Sequence, residues 1–149
     1  MRIPLQVSGL LLAIAFAPAL HADQPLPERR LTPADLATVG GAPPRPGVQM
    51  RALVGDPSRP GLYSVRVSIP AHTRVPPHTH RDNRAVLVLS GTWHMGYGTR
   101  FASEALKALP AGSFYTEPAA QPHFAETLDE PVVIIVTGYG PSDTRMVPQ

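Results

Sequence analysis

The 149-residue sequence contains no cysteine. That absence removes thiol nucleophiles, cysteine-ligated zinc and disulfides from consideration, so the fold is held by its core alone. Charge of either sign is also sparse. Thirteen basic residues face eleven acidic ones, a formal net charge of +2. The balance is too even, and the basic residues too scattered, for a nucleic-acid or membrane-surface binder. There is no Gly-x-Ser-x-Gly elbow, no P-loop and no Gly-x-Gly-x-x-Gly, which leaves serine-hydrolase, nucleotide-hydrolase and dinucleotide readings unsupported. No apolar run reaches the roughly 20 residues of a membrane span. The longest, Val7 to Leu20, follows Arg2 and ends in small residues up to Ala22. It reads as a signal peptide over residues 1–22, cleaved after Ala22. The expected mature protein is periplasmic or secreted, with no membrane attachment after cleavage.

What is abundant is proline, 19 residues beside 12 glycines, and this argues for many turns between short elements. Residues 23–47 form a proline-rich leading segment with one short helix. Thr32 is placed to cap it, Pro33 to occupy its first position and Asp35 its first turn, with Gly40-Gly41 as the stop. From Val48 onward the pattern is that of strands. Val48, Met50, Ala52 and Val54 alternate with polar residues, as do Tyr63, Val65, Val67 and Ile69. Val75 to His80 is extended, because Pro76 and Pro77 forbid helix there. Ala85 to Leu89 is continuously apolar and reads as a strand buried on both faces. Thr92 to Tyr97 continues after a turn at Ser90-Gly91. Ser103 to Lys107 reads as one helical turn capped by Ser103, and Leu109 to Gly112 as a further turn. Ser113–Glu117 and His123–Thr127 are strands around a tight Pro118–Pro122 segment. Val132 to Val136 is the most β-branched run. Many short strands between regular turns indicate a single all-β domain over residues 48–149, a sandwich or barrel. Trp93, Tyr97, Phe101, Phe114, Tyr115 and Phe124 are its expected aromatic core.

The chemistry concentrates at His78-Thr79-His80. Residues i and i+2 of a strand share a face, so two imidazoles stand side by side, and neutral imidazole is a common ligand for first-row transition metals. His72 and His94 read as exposed or hydrogen-bonded histidines.

Residues 78–127 resemble the two signature motifs of the cupin superfamily. In the first, His78, His80 and Gly91 match, Arg84 stands where the family has glutamate, and His72 where it has glycine. In the second, Gly112, Pro118 and His123 match, Ala120 replaces a glycine, and Thr127 replaces an asparagine. The resemblance implies a jelly-roll β-barrel holding one divalent metal ion, Fe, Mn, Ni, Cu or Zn, on His78, His80 and His123.

Arg84 is the departure. A guanidinium cannot ligate. Aimed at a dication 4 Å away, it would cost roughly 8 kcal/mol at an effective dielectric of 20. Three outcomes stay open: three histidines hold the metal with water; Glu117 at the end of its strand moves in as fourth ligand; or the metal is lost and the barrel binds something else. Glu117 needs a partner if buried, and Arg84 would also serve. Arg84 is equally a candidate to bind a substrate carboxylate or phosphate. The resulting expectation is a metal-binding cupin acting on a small molecule, as an enzyme of dioxygenase or isomerase type, or as a non-catalytic periplasmic metal- or ligand-binding barrel. Its exposed strand edges offer a route to a homodimer.

Overall fold

The computed structural model describes residues 25–39 and 47–148. The signal-peptide reading of residues 1–22 and the Gly40-Gly41 stop lie outside these residues. The expected helix is present as α1 (Pro33–Thr38). Thr32 and Asp35 bond reciprocally in a capping box, satisfying two amide donors at its start. No helix among the described residues is long and apolar enough to cross a membrane.

The rest is β-structure: β1 (Gln49–Val54), β2 (Gly61–Ile69), β3 (Arg74–Thr79), β4 (Arg84–Ser90), β5 (Thr92–Tyr97), β6 (Lys107–Pro110), β7 (Phe114–Glu117), β8 (His123–Glu126), β9 (Val132–Gly140) and β10 (Arg145–Met146). They form two five-stranded antiparallel sheets, ordered β1-β2-β9-β4-β7 and β10-β3-β8-β5-β6. The architecture is the jelly-roll-like barrel expected of a cupin. Alternation sorts the side chains. Tyr63, Val65, Val67 and Ile69 of β2, Val86 and Val88 of β4, and Val132, Ile134 and Val136 of β9 point inward. They pack against Trp93, Met95 and Ala125 of the facing sheet.

Several local expectations are corrected. β4 is not buried on both faces, since Leu87 and Leu89 remain 43% and 41% exposed. In a two-layer fold the outer face of a sheet has no second layer to cover it, so a continuous apolar run still buries only alternate residues. Phe114, expected in the core, lies opposite Leu87 on that outer face and is 63% exposed. Tyr97 is also exposed, its hydroxyl donating to the Thr116 carbonyl at 2.5 Å. Ser103 does not cap a helix. It begins a single 3₁₀ turn, Ser103–Ala105, with no side-chain cap. Lys107 to Pro110 is a strand, paired to β5. The short β10 carries no period-two signal in the sequence.

The two departures in the second cupin motif have local explanations. Ala120 adopts φ +60, the left-handed region where a glycine costs least. Its N–H donates to the His80 carbonyl at 2.7 Å. Thr127 is buried. Its hydroxyl donates to the Pro70 carbonyl at 2.6 Å and accepts the Thr73 N–H at 2.9 Å, bracketing the turn in which His72 takes φ +55.

Candidate metal centre

β3 and β8 bring the three motif histidines together. His78 and His123 are cross-strand partners, and His80 follows two residues after His78, just past the end of β3. The ring centroids are 4.8 Å apart for His78–His80, 4.3 Å for His78–His123 and 5.0 Å for His80–His123. One nitrogen from each lies within 4.8 Å of the others, and this is the histidine group with metal-holding geometry among the described residues. His80 and His123 are buried, and His78 is partly so.

The other nitrogen of each ring decides the tautomer. Nδ1 of His78 donates to the Pro76 carbonyl at 2.8 Å, Nδ1 of His123 to the Gln121 carbonyl at 3.0 Å, and Nδ1 of His80 to the Asp143 carbonyl at 2.6 Å. A carbonyl only accepts, so each Nδ1 carries the proton and each Nε2 presents a lone pair. Nε2 of His123 is buried with no hydrogen-bond partner. Burial lowers all three pKa values, that of His80 to about 4, with nearby Arg84 pushing in the same direction. Three neutral imidazoles with convergent lone pairs and an orphaned buried nitrogen fit a borderline-soft divalent cation.

Glu117 and Arg84 face this cluster from the opposite sheet. They are cross-strand partners, at the end of β7 and the start of β4. Glu117 Oε2 is 3.5 Å from His80 Nε2, and Oε1 is 3.7 Å from His123 Nε2. The same Oε2 is 3.5 Å from Arg84 Nη1, and Oε1 accepts the Tyr115 hydroxyl at 3.2 Å. Glu117 therefore stands between the histidines and Arg84, next to both. Its carboxyl pKa is raised by burial, against the opposing pull of Arg84 and Tyr115.

The structure also adds residues that the motifs do not mark. Asp82 is buried, with Oδ2 3.5 Å from Arg84 Nε. It accepts from the Tyr63 hydroxyl at 2.5 Å and from Ser142 Oγ at 2.7 Å. Burial pushes its pKa up, but these hydrogen bonds and Arg84 outweigh that and leave it lowered. Arg84 Nη2 also donates to Ser142 Oγ and, at 3.3 Å, to the Asp143 carbonyl. Both terminal nitrogens of the guanidinium are thus engaged by protein acceptors. Gly138 sits opposite both Tyr63 and Arg84. A Cβ there would come within 2.5 Å of the Tyr63 hydroxyl and 2.7 Å of Asp82 Oδ2, so this hydrogen bond needs a glycine beside it. Outside the site, His72 is exposed, as expected, and His94 is half-buried with an Nδ1 that finds no partner.

A cavity of about 160 Å³ opens from the histidines into the barrel. Its walls include Val67, Ile69, Met95, Ile134 and Val136, and its polar end is formed by the histidines, Arg84 and Glu117. Val48 and Met50 line it while remaining 48% and 59% exposed, which places its mouth at the β1 edge.

The ChrR cupin-like domain model matches residues 32–143. The chain belongs to this cupin family. Comparison of the sequence with curated proteins gives no match. Solved structures resemble this cupin in fold. A polyketide cyclase from Streptomyces resistomycificus is 17% identical at a TM-score of 0.61, over 82% of this chain and 87% of that one. A structure of DMSP lyases is 21% identical at 0.58, over 68% of this chain. The salicylate 1,2-dioxygenase of Pseudoaminobacter salicylatoxidans is 15% identical at 0.56, over 70% of this chain and 30% of that one. The cupin spans about half the length of the DMSP lyase chains it matches, 53% and 47%.

Proposed function

We propose that this cupin is an exported, mononuclear-metal enzyme of dioxygenase or isomerase type, acting on a small, largely apolar molecule in the barrel. The observation that carries the reading is the set of three Nδ1–H···O=C bonds, which leaves three Nε2 lone pairs converging at the polar end of an apolar cavity. His78, His80 and His123 would hold one divalent Fe, Mn, Ni, Cu or Zn ion, with Glu117 as the carboxylate neighbour that Arg84 cannot be. Such an ion supplies Lewis acidity and open coordination positions for a small ligand. The chain's own groups do the rest. The aliphatic walls exclude water from the bound molecule. Tyr115 and Glu117, hydrogen-bonded to each other at the polar end, can hold a proton beside it. A space of this size takes a molecule of about benzene's dimensions. We assign Arg84 to holding Glu117 and Asp82 in place, in preference to anchoring a substrate anion, because its terminal nitrogens are already engaged. The salicylate dioxygenase and polyketide cyclase among the fold neighbours are in keeping with a small organic substrate. The non-catalytic metal- or ligand-binding barrel is the reading that survives if metal binds without turnover.

The test is metal content. The chain from Asp23 onward, purified anaerobically, is expected to carry about one transition metal per chain by mass spectrometry, and a His78→Ala/His123→Ala variant none. No metal in either, even after reconstitution with Fe, Mn, Ni, Cu and Zn salts, would sink the proposal. Light scattering on the same preparation reports on the homodimer, for which the apolar Leu87–Phe114 pair beside edge strand β7 is the favoured surface.

A further inference from the structure

We propose that Asp143 is a positioning residue of the histidine site, and that the C-terminal crossing segment, residues 141–147, completes that site. The inference rests on the reading of the three histidines as metal ligands.

After β9 the chain leaves the first sheet, crosses the end of the barrel and joins the second sheet. There Arg145 and Met146 of β10 pair with Thr79 and His78 of β3. On the way it touches both halves of the site. The Asp143 carbonyl accepts from His80 Nδ1 at 2.6 Å and from Arg84 Nη2 at 3.3 Å. Ser142 Oγ accepts from Arg84 Nη2 and donates to Asp82 Oδ1 at 2.7 Å. Thr144 lines the cavity, and its Oγ1 lies 3.4 Å from His80 Nδ1.

His80 differs from its two neighbours in where its acceptor comes from. His78 and His123 each bond the carbonyl two residues earlier in their own strand segment, at Pro76 and Gln121. Those bonds come with the local backbone. The acceptor for His80 lies 63 residues away in sequence. The hydrogen bond on one imidazole nitrogen sets which nitrogen is free to ligate and fixes the ring plane. For His80 alone, that choice is made by the crossing segment.

The Asp143 carboxylate holds the segment in register. Oδ1 accepts the Arg81 N–H, adjacent to His80, at 2.9 Å, and Oδ2 accepts Arg145 Nε at 2.7 Å. Two backbone bonds also tie the segment, Ser142 N–H to the Pro57 carbonyl at 2.6 Å and Val147 N–H to the Pro77 carbonyl at 3.0 Å. β10 itself is two exposed residues long, so sheet pairing gives this segment only a short anchor, and the Asp143 carboxylate adds a tie directly beside His80.

The experiment compares wild type with Asp143→Ala and Asp143→Asn, using ¹⁵N-histidine NMR of the metal-free proteins to assign tautomers and Zn(II) titration to measure affinity. Wild-type His80 is expected wholly in the Nδ1–H form. Asp143→Ala is expected to give mixed tautomers at His80 with His78 and His123 unchanged, and about 10- to 100-fold weaker Zn(II) binding. Asp143→Asn keeps an acceptor for the Arg81 N–H and is expected to restore most of both. A folded Asp143→Ala protein with an unaltered His80 tautomer overturns the proposal, as does Asp143→Asn behaving no better than Asp143→Ala. If wild type binds no Zn(II) yet the His80 tautomer shifts in Asp143→Ala, the positioning role stands and the metal reading fails. If wild type binds Zn(II) and the tautomer does not shift, the positioning role alone fails.

Discussion

Replacing Arg84 with methionine tests whether the buried charges are arranged as described. The guanidinium lies 3.5 Å from both Glu117 Oε2 and Asp82 Oδ2, and all three side chains are about 90% buried or more. At an effective dielectric of about 20, each attraction is worth roughly 4–5 kcal/mol. Most of that offsets the desolvation of the three groups, so the pair's net contribution in the wild type is small. Removal is different, because it leaves two carboxylates buried without their cation. Breaking a buried pair in this way costs about 3–5 kcal/mol, or about 10–20 °C in Tm for a chain of this size. The loss also has a pH signature. Arg84 opposes the upward push of burial on the Glu117 carboxyl. Without it, the folded pKa rises further above the unfolded value of 4.5. The folded state then binds that proton more tightly, so the Glu117 share of the deficit is small below pH 4.5 and grows as pH rises, on top of an Asp82 share already present at pH 4.5, where that carboxylate is ionised. Urea unfolding of the metal-free proteins at pH 8 and pH 4.5 measures both effects. Adding Glu117→Gln to the methionine variant is expected to recover part of the loss at pH 8, because the uncompensated charge is gone. An Arg84→Met protein within about 1 kcal/mol of wild type at pH 8 would refute the reasoning, and so would a deficit independent of pH.

Two further outcomes are expected. Ala120→Gly relieves a left-handed backbone at φ +60 and should stabilise the fold by about 0.5–1 kcal/mol. A lower Tm by calorimetry would show that the Ala120 methyl contributes packing that outweighs the strain. Acidification should destabilise the metal-free protein between pH 6.5 and about 4. His80, with folded pKa lowered from 6.5 to about 4, and the similarly lowered His78 and His123 contribute stability that is full above pH 6.5 and is lost as they are forced to protonate. Glu117, raised in the folded state, acts in the opposite direction but is one group against three. A urea midpoint that stays flat or rises over this range would contradict the neutral, buried state of the histidines.

Composition and pattern determined a good deal of this protein. The period-two runs at Tyr63–Ile69 and the turn chemistry around Gly91 and Gly112 specify strands and their ends, because side-chain alternation and positive φ are local properties of the chain. The helix cap at Thr32-Pro33-Asp35 is legible for the same reason. His78 and His80 share a face by strand geometry alone, and the spacing to His123 resembles a family whose fold the structure reproduces. Other features depended on which strands lie side by side. Leu87, Leu89 and Phe114 are apolar yet exposed because, among the described residues, no layer covers the outer face of their sheet, and no local pattern encodes that. Glu117 meets both Arg84 and the histidines only because the β4–β7 register sets it opposite Arg84 and the two sheets face each other. Asp82, Ser142 and Asp143 sit in unremarkable sequence, and nothing in the Tyr63 strand pattern marks its hydroxyl, yet their partners lie up to 63 residues away. Long-range hydrogen bonds carry no periodicity, so the groups that orient His80 and neutralise Arg84 became visible only when the tertiary structure closed the C-terminal segment over the end of the barrel.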